Sequence, residues 1–273
     1  MQTHIGKMKI NLAGGTGPMG KVHKPLFENQ GHEVIISGRK TSPTLEEAAQ
    51  ISDLTIVSVP IPYTEEMIKR IGHYCNAMMD FTGLKTFPIH AMQRYTRPEI
   101  EIGGLHPMYG DIQNLTGKTV VYCPTERSGK RCEEIIKCFK ESGLIIKTMD
   151  PTDHDLSSAI AQNARIMALE IFGSLLITAG MSAKEAYEFS PPPTRVILDL
   201  LARQINPEND QLYKDMMDYN QFTPIVRGLM TEKLSYRNEN VPKAIREMYG
   251  PDFLRECQER AKFLVDAGKA KQS

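Results

Sequence analysis

A glycine-bordered loop near the N-terminus, and a histidine set between a glycine pair and a proline, are the residues of this sequence best suited to chemistry. The loop reads Gly14-Gly15-Thr16-Gly17-Pro18-Met19-Gly20, in which Gly15, Gly17 and Gly20 have the spacing GxGxxG. Each glycine has a mechanical reason in a dinucleotide site. The first permits a tight turn, the second lets backbone approach a pyrophosphate, and the third lets helix pack on strand. The helix that opens there offers free N–H groups to the phosphates. A strand pattern precedes the loop and a helix pattern follows it, the context that distinguishes a dinucleotide site from a structural glycine turn. Gly15, Thr16, Gly17, Pro18, Met19 and Gly20 are therefore expected to line a dinucleotide.

The end of the next strand selects the cofactor. An NAD site has Asp or Glu roughly 20 residues past the glycines. This sequence has Ser37-Gly38-Arg39-Lys40 there instead. A hydroxyl and two cations suit the dianionic 2′-phosphate, and an arginine can stack on adenine. NADP is expected in preference to NAD, with Ser37, Arg39 and Lys40 at that end of the cofactor. Ser58-Val59-Pro60-Ile61-Pro62-Tyr63-Thr64 closes another buried strand. Ligands of open α/β sheets lie beyond the carboxyl ends of strands, so Ser58, Val59, Pro60 and Thr64 are placed against the nicotinamide ribose. N-capping of the following helix is the alternative role for Thr64.

Asp80-Phe81-Thr82-Gly83-Leu84-Lys85 and Gly103-Gly104-Leu105-His106-Pro107-Met108-Tyr109-Gly110 each follow a further strand. A catalytic imidazole needs a backbone fixed by its surroundings, and the loop around His106 supplies one. A neutral imidazole with a pKa near 6.5 accepts a proton at cellular pH. His4, His23, His32, His73 and His90 read as structural.

The elements that position these residues divide the chain near residue 150. Before it, Met8–Ala13, Glu33–Ser37, Leu54–Val59, Ala77–Asp80, Ile100–Leu105 and Thr119–Tyr122 read as strands. Pro18–Gln30, Thr64–Ile71 and Ser128–Ser142 read as helices, the first with Pro25 inside it. The alternation implies a parallel sheet covered on both faces. After it, Asp155–Ala179 reads as one long apolar helix, with Thr152 and Asp153 as N-caps and Gly180 as its stop. Thr194–Gln204, Gln211–Tyr219, Pro224–Leu234 and Asp252–Ala267 are further helices, and Gly268–Ser273 is a polar, frayed tail. The fold class expected is a Rossmann-type α/β domain over residues 1–150, followed by an all-helical domain over 151–273. The helices after 150 carry more apolar surface than a thin layer can bury alone, so a homodimer through them is expected, with the cleft between the domains.

Composition narrows the class. The 33 Lys+Arg balance 33 Asp+Glu in 273 residues, which gives no global reason to expect nucleic acid or an anionic membrane as partner. No apolar run approaches the roughly 18 residues of a membrane span. The five cysteines are scattered, none as CxxC, and read as reduced thiols; no metal is expected. With no charged-then-apolar leader before the first strand, a cytoplasmic protein is expected.

Several motifs together resemble the prephenate/arogenate dehydrogenase family of tyrosine biosynthesis: SVPI followed by Thr64, the segment Asp80 to Lys85, GLHPMYG, the turn Asp153-His154-Asp155, and Ser190-Pro191 followed by Arg195 and Arg203. The resemblance covers nearly the whole chain and implies oxidative decarboxylation of prephenate to 4-hydroxyphenylpyruvate, with arogenate as the alternative substrate. It implies that His106 bonds the ring hydroxyl and helps take its proton. It assigns a substrate carboxylate to Arg203, and lines the same cleft with Arg195 and the catalytic-site Lys85. It also implies a form without a chorismate mutase segment or an ACT domain. The sequence departs from the family pattern at Gly83, often Ser, and at Gln162–Ile166, which has no His. Two other classes compete. One is another NADP-dependent oxidoreductase with a helical second domain, disfavoured because Asp155–Ala179 contains no Lys acid. The other is a non-catalytic NADP sensor, disfavoured by His106, Arg195 and Arg203.

Overall fold

The computed structural model describes residues 6–110, 114–235 and 240–270. The first part alternates strand and helix: β1 (Lys9–Ala13), α1 (Pro18–Asn29), β2 (Glu33–Ser37), α2 (Leu45–Ile51), β3 (Leu54–Val57), α3 (Thr64–Ile71), β4 (Ala77–Asp80), α4 (Thr86–Tyr95), β5 (Glu101–Pro107), β6 (Thr119–Pro124), α5 (Lys130–Glu141) and β7 (Ile145–Thr148). They form one seven-stranded sheet of order β2-β1-β3-β4-β5-β6-β7. All pairs are parallel except β5 with β6. That exception corrects the expectation of a wholly parallel sheet. The connection over residues 108–118 holds no crossover helix among its described residues, and a parallel return needs one.

Side chains alternate across the sheet and feed a separate core on each face. On one face Ile10, Leu12, Leu54, Ile56, Met79 and Leu105 pack with Leu26 and Phe27 of α1 and Ile135 and Phe139 of α5. On the other, Val57, Met78, Ile102 and Val121 pack with residues of α2, α3 and α4 such as Leu45, Ile68 and Met92. The strand order reverses at β1, with β2 on one side and β3 on the other. Such a reversal opens a crevice at the carboxyl ends of the strands.

The second part is helical: α6 (Pro151–Ser158), a π-helical turn over Ala159–Asn163, α7 (Ala164–Thr178), α8 (Ala183–Phe189), α9 (Pro192–Gln204), α10 (Pro207–Tyr219), α11 (Thr223–Ser235), α12 (Val241–Tyr249) and α13 (Pro251–Ala270). The expected N-caps Thr152 and Asp153 are displaced by Asp150, whose Oδ1 accepts the Thr152 amide at 2.7 Å. Gly180 does stop α7, at φ +66°. The helix α13 continues through Gly268 to Ala270, and the rest of the expected frayed tail, 271–273, lies outside the described residues. The segment Pro151–Thr178 is long and apolar enough, by length and hydropathy, to cross a membrane. That corrects the expectation that no apolar stretch reaches this length, although a core helix of a globular protein meets the same criterion.

Two compact units result, with bounds that differ from a cut at residue 150. One comprises the sheet and chain up to Ser158 together with Asp215–Gln221, and the other comprises Ala159–Lys214 and Phe222 onward. The end of α10 returns to the first unit because Asn220 Nδ2 donates to the Asp155 carbonyl at 2.8 Å.

Candidate active site

The glycine loop has the geometry of a phosphate cradle. Gly14 adopts φ +83°, and a Cβ there would lie 2.5 Å from the Ser58 carbonyl oxygen. A Cβ on Gly15 would lie 2.7 Å from Leu12, and one on Gly20 would overlap the Gly15 carbonyl. Around Gly17 there is open space instead, the nearest atom to a Cβ being 4.0 Å away. Gly17 is the N-cap of α1, with no side-chain cap and Pro18 in the first turn. The early amides of a helix, here those of Met19 and Gly20, lack intrahelical acceptors. Three glycines are thus needed for packing and one leaves room for a ligand, so the residues fit a dinucleotide pyrophosphate.

Around this cradle the strand ends are stitched together. Gly14 N donates to Ser37 O, Ser58 N to Ala13 O and Phe81 N to Val57 O. Ser37 is fully buried and its hydroxyl donates to Asn11 Oδ1 at 2.7 Å. That bond braces β2 against β1. Arg39 and Lys40 are exposed, in a turn where the Gly38 amide donates to Thr41 Oγ1. Among the described residues neither makes an ion pair. Thr64 is buried and begins α3 rather than capping it. Its hydroxyl lies 3.3 Å from that of Thr82. Val59 is half-buried and Pro60 exposed, at the edge of the same turn.

Lys85 is not where the sequence reading places it. Its side chain is fully buried, with Nζ 2.5 Å from Asp80 Oδ2 and 2.7 Å from the Leu105 carbonyl oxygen. The expectation that Lys85 lines the cleft is therefore corrected: it holds the residue before His106. Burial pushes the Asp80 carboxyl upward, against the pull of the Lys85 ammonium. Removing one partner of such a buried pair typically costs about 3–5 kcal/mol, because the other charge is stranded.

His106 is held by a chain of three groups. Its Nδ1 lies 2.9 Å from His154 Nε2, and His154 Nδ1 lies 2.8 Å from Asp155 Oδ1. Asp155 also accepts the Lys85 amide on Oδ1 at 2.8 Å and the Thr86 amide on Oδ2 at 2.9 Å, closing the N-terminus of α4. Burial works to raise the Asp155 carboxyl, but the bonds from His154, Thr86 and Lys85 outweigh it and hold it below its ordinary value. A carboxylate only accepts, so His154 carries its proton on Nδ1. Where His154 Nε2 is the acceptor of this contact, the proton of neutral His106 lies on Nδ1 and His106 Nε2 is bare. Burial, with the neighbouring His154 and Lys85, lowers the His106 pKa well below 6.5. The ring is neutral at physiological pH and Nε2 is a proton acceptor. Gly83 faces that nitrogen: a Cβ on it would lie 3.6 Å from His106 Nε2. The sequence reading had the turn Asp153-His154-Asp155 but assigned it no role. Only a contact across 48 residues of chain reveals the chain of bonds.

The two arginines, both on α9, fare differently. Arg195 Nε donates to the carbonyls of Tyr187 at 2.9 Å and Ser190 at 3.0 Å, and its guanidinium lies over the Tyr187 ring. Through these bonds it caps the end of α8, where a cation also meets the helix dipole. Arg203 is exposed and makes no ion pair among the described residues. Arg165, on α7, donates from Nη1 to Gln204 Oε1 at 2.7 Å. His32, Glu134 and Cys138 come close enough to hold a metal ion. However, His32 Nδ1 accepts the Met8 amide, so Nε2 carries the proton and points at Cys138 Sγ, 3.2 Å away. That ring has no lone pair left for a metal.

Comparison with known proteins agrees with this geometry. Residues 22–147 match the family described as prephenate dehydrogenase, nucleotide-binding domain. A probable arogenate/prephenate dehydrogenase of Methanocaldococcus jannaschii is 28% identical over 96% of this chain, which spans 62% of that relative's length. The T-protein of Haemophilus influenzae is 26% identical over 97% of this chain and 73% of its own length. In fold, the chain is similar to the prephenate dehydrogenase of A. aeolicus solved with hydroxyphenyl propionate and NAD+. The TM-score is 0.69 at 15% identity, over 99% of each chain. Residues 22–147 thus match the nucleotide-binding domain of the prephenate dehydrogenase family, and the chain as a whole is similar to prephenate/arogenate dehydrogenases.

Proposed function

We propose that the protein catalyses the NADP-dependent oxidative decarboxylation of prephenate to 4-hydroxyphenylpyruvate, a step of tyrosine biosynthesis. The observation that carries this reading is the hydrogen-bonded row of His106, His154 and Asp155, with His106 Nδ1 2.9 Å from His154 Nε2 and His154 Nδ1 2.8 Å from Asp155 Oδ1. A nicotinamide dinucleotide, its pyrophosphate held by the glycine loop and the early amides of α1 at Met19 and Gly20, would supply the hydride acceptor for the ring carbon that bears the hydroxyl. His106 Nε2 accepts the hydroxyl proton as that hydride leaves, so the carbon–oxygen bond becomes a carbonyl. The bond to the ring carboxylate then breaks, carbon dioxide departs, and its electron pair completes the aromatic ring. The oxygen takes back the proton that His106 held. Arg203 is assigned to a substrate carboxylate, where a planar guanidinium makes two parallel bonds. Arogenate has the same reacting ring and differs in its side chain, so it passes through the same steps. The name of the Methanocaldococcus relative supports either substrate.

Three finer assignments belong to this reading. Arg39 and Lys40, exposed in the turn after β2, hold the 2′-phosphate of NADP. A second copy of the chain covers the helical unit, which leaves Leu175 62%, Ile177 81%, Phe189 86% and Phe263 73% exposed. Large apolar side chains exposed to this degree are typical of an interface. Burial of the thiols of Cys75, Cys123, Cys132 and Cys138, without a disulfide among the described residues, suits a reducing cytoplasm.

The reading is tested by following reduced cofactor in purified protein given prephenate or arogenate. Turnover with at least one is expected, and none with either leaves an NADP-binding protein without this chemistry. His106→Asn lowers turnover by about 10²–10⁴-fold, the span of a positioned acid–base group, while substrate affinity changes less. The imidazole is active as the neutral form, so activity is lost as pH falls through its lowered pKa. The acidic limb of wild-type turnover therefore lies below pH 6.5, and is absent from the variant's residual rate. Near-normal turnover in a folded His106→Asn protein excludes the role.

For the cofactor, R39A combined with K40A weakens NADP by roughly 10- to 100-fold, since a charge-assisted bond contributes about 1.5–3 kcal/mol. NAD binding changes little, and equal losses for both cofactors contradict the assignment. For assembly, light scattering at micromolar concentration gives the mass of two chains, and the mass of one chain contradicts it.

A further inference from the structure

The segment carrying His106 is tethered at several points. Lys85 holds the Leu105 carbonyl, His154 holds the His106 ring, and the Met108 amide donates to Thr119 O at 2.9 Å. A further tether reaches the helix of the dinucleotide site. Tyr109 Oη lies 3.0 Å from Nε2 of His23, a fully buried residue of α1. His23 Nδ1 lies 2.8 Å from Met19 O, inside the glycine motif. A carbonyl only accepts, so Nδ1 carries the proton and the bare Nε2 accepts from the Tyr109 hydroxyl. The His23 ring stacks on Tyr109 and sits 4.4 Å, centroid to centroid, from Phe81, the residue after Asp80.

We propose that the Tyr109–His23 hydrogen bond is a positioning tie, which holds the His106 loop in register with the helix that opens the dinucleotide site. The inference rests on the dehydrogenase reading above, because a hydride step needs substrate and nicotinamide held to near-attack distance. Tyr109 and His23 act through His106 and α1 and touch no reacting atom. Burial depresses the His23 pKa to about 4, so the ring stays a neutral acceptor at any working pH. Burial also raises the Tyr109 phenol, so its hydroxyl stays a donor. Displacement of a reacting group by about 1 Å can cost on the order of 100-fold in rate. The hydroxyl of one tyrosine thus controls turnover from outside the reacting centre.

The test is Tyr109→Phe, which keeps the ring and deletes the bond. Two quantities are read in the full-length protein: turnover at saturating substrate and cofactor, and the ¹⁵N chemical shifts of the His106 ring without ligands at fixed pH. The tie predicts turnover reduced about 10-fold or more, apparent substrate affinity within about threefold, and displaced His106 ring shifts. A brace that serves only stability lowers the melting temperature and moves neither quantity. If Tyr109→Phe leaves the His23 acceptor stranded and folds poorly, H23F with Y109F removes both polar partners and takes the same measurements. Unchanged His106 shifts in the folded variant overturn the tie, and so does turnover within twofold of an active wild type. If the wild-type protein turns over neither substrate, the dehydrogenase reading fails by itself, and the ring shifts alone decide the tie.

Discussion

The carboxylate of Asp155 closes the N-terminus of α4, orients His154, and through His154 sets which nitrogen of His106 carries a proton. These demands reinforce one another. Two amides at a helix N-terminus keep the carboxylate ionised despite burial. An ionised carboxylate leaves His154 a single tautomer, and that tautomer leaves His106 a single tautomer. The direction of proton transfer at Nε2 is therefore fixed by the start of a helix. The same start places Lys85, whose ammonium fixes the carbonyl preceding His106. The catalytic imidazole is held through both its ring and its backbone.

The rest of the first unit serves that arrangement. Parallel strands bring the ends of β1, β3 and β4 to one rim of the sheet, and β5, parallel to β4, delivers His106 to the same rim. Glycines at 14, 15 and 20 let the first loop lie flush against its neighbours, and Gly17 keeps the space a phosphate needs. Polar groups that look available in the sequence are spent on structure. Ser37 braces two strands, Arg195 ends a helix, and Lys85 pairs with Asp80.

Local signals made part of this legible in the sequence. The strand–glycine–helix order and the buried strands follow from periodicity and turn chemistry over a few residues, whereas His106, expected in a loop, lies within β5 opposite Val121. The helices α2 and α8 went unassigned although their starts were legible. Thr44 with Glu47, and Ser182 with Glu185, form capping boxes whose S/T-x-x-E spacing is present in the sequence. The helix α4 was not legible by any local rule, since its cap is Asp155, 69 residues from Thr86. Remoteness also hides how individual side chains are engaged. Nothing near Lys85 in sequence says that its charge is buried, and nothing near Arg195 says that its guanidinium bonds carbonyls rather than a ligand.

The account stands or falls on the tautomers of two histidines. The direct measurement is ¹⁵N NMR of the His106 and His154 rings in the unliganded protein near neutral pH, with each ring assigned by its Asn variant. The His106 ring is predicted to be neutral, protonated on Nδ1 and bare on Nε2, and the His154 ring to carry a proton on Nδ1. A proton on His106 Nε2, or a His106 imidazolium at that pH, would contradict the claim that Asp155 and His154 prepare this residue to accept a proton.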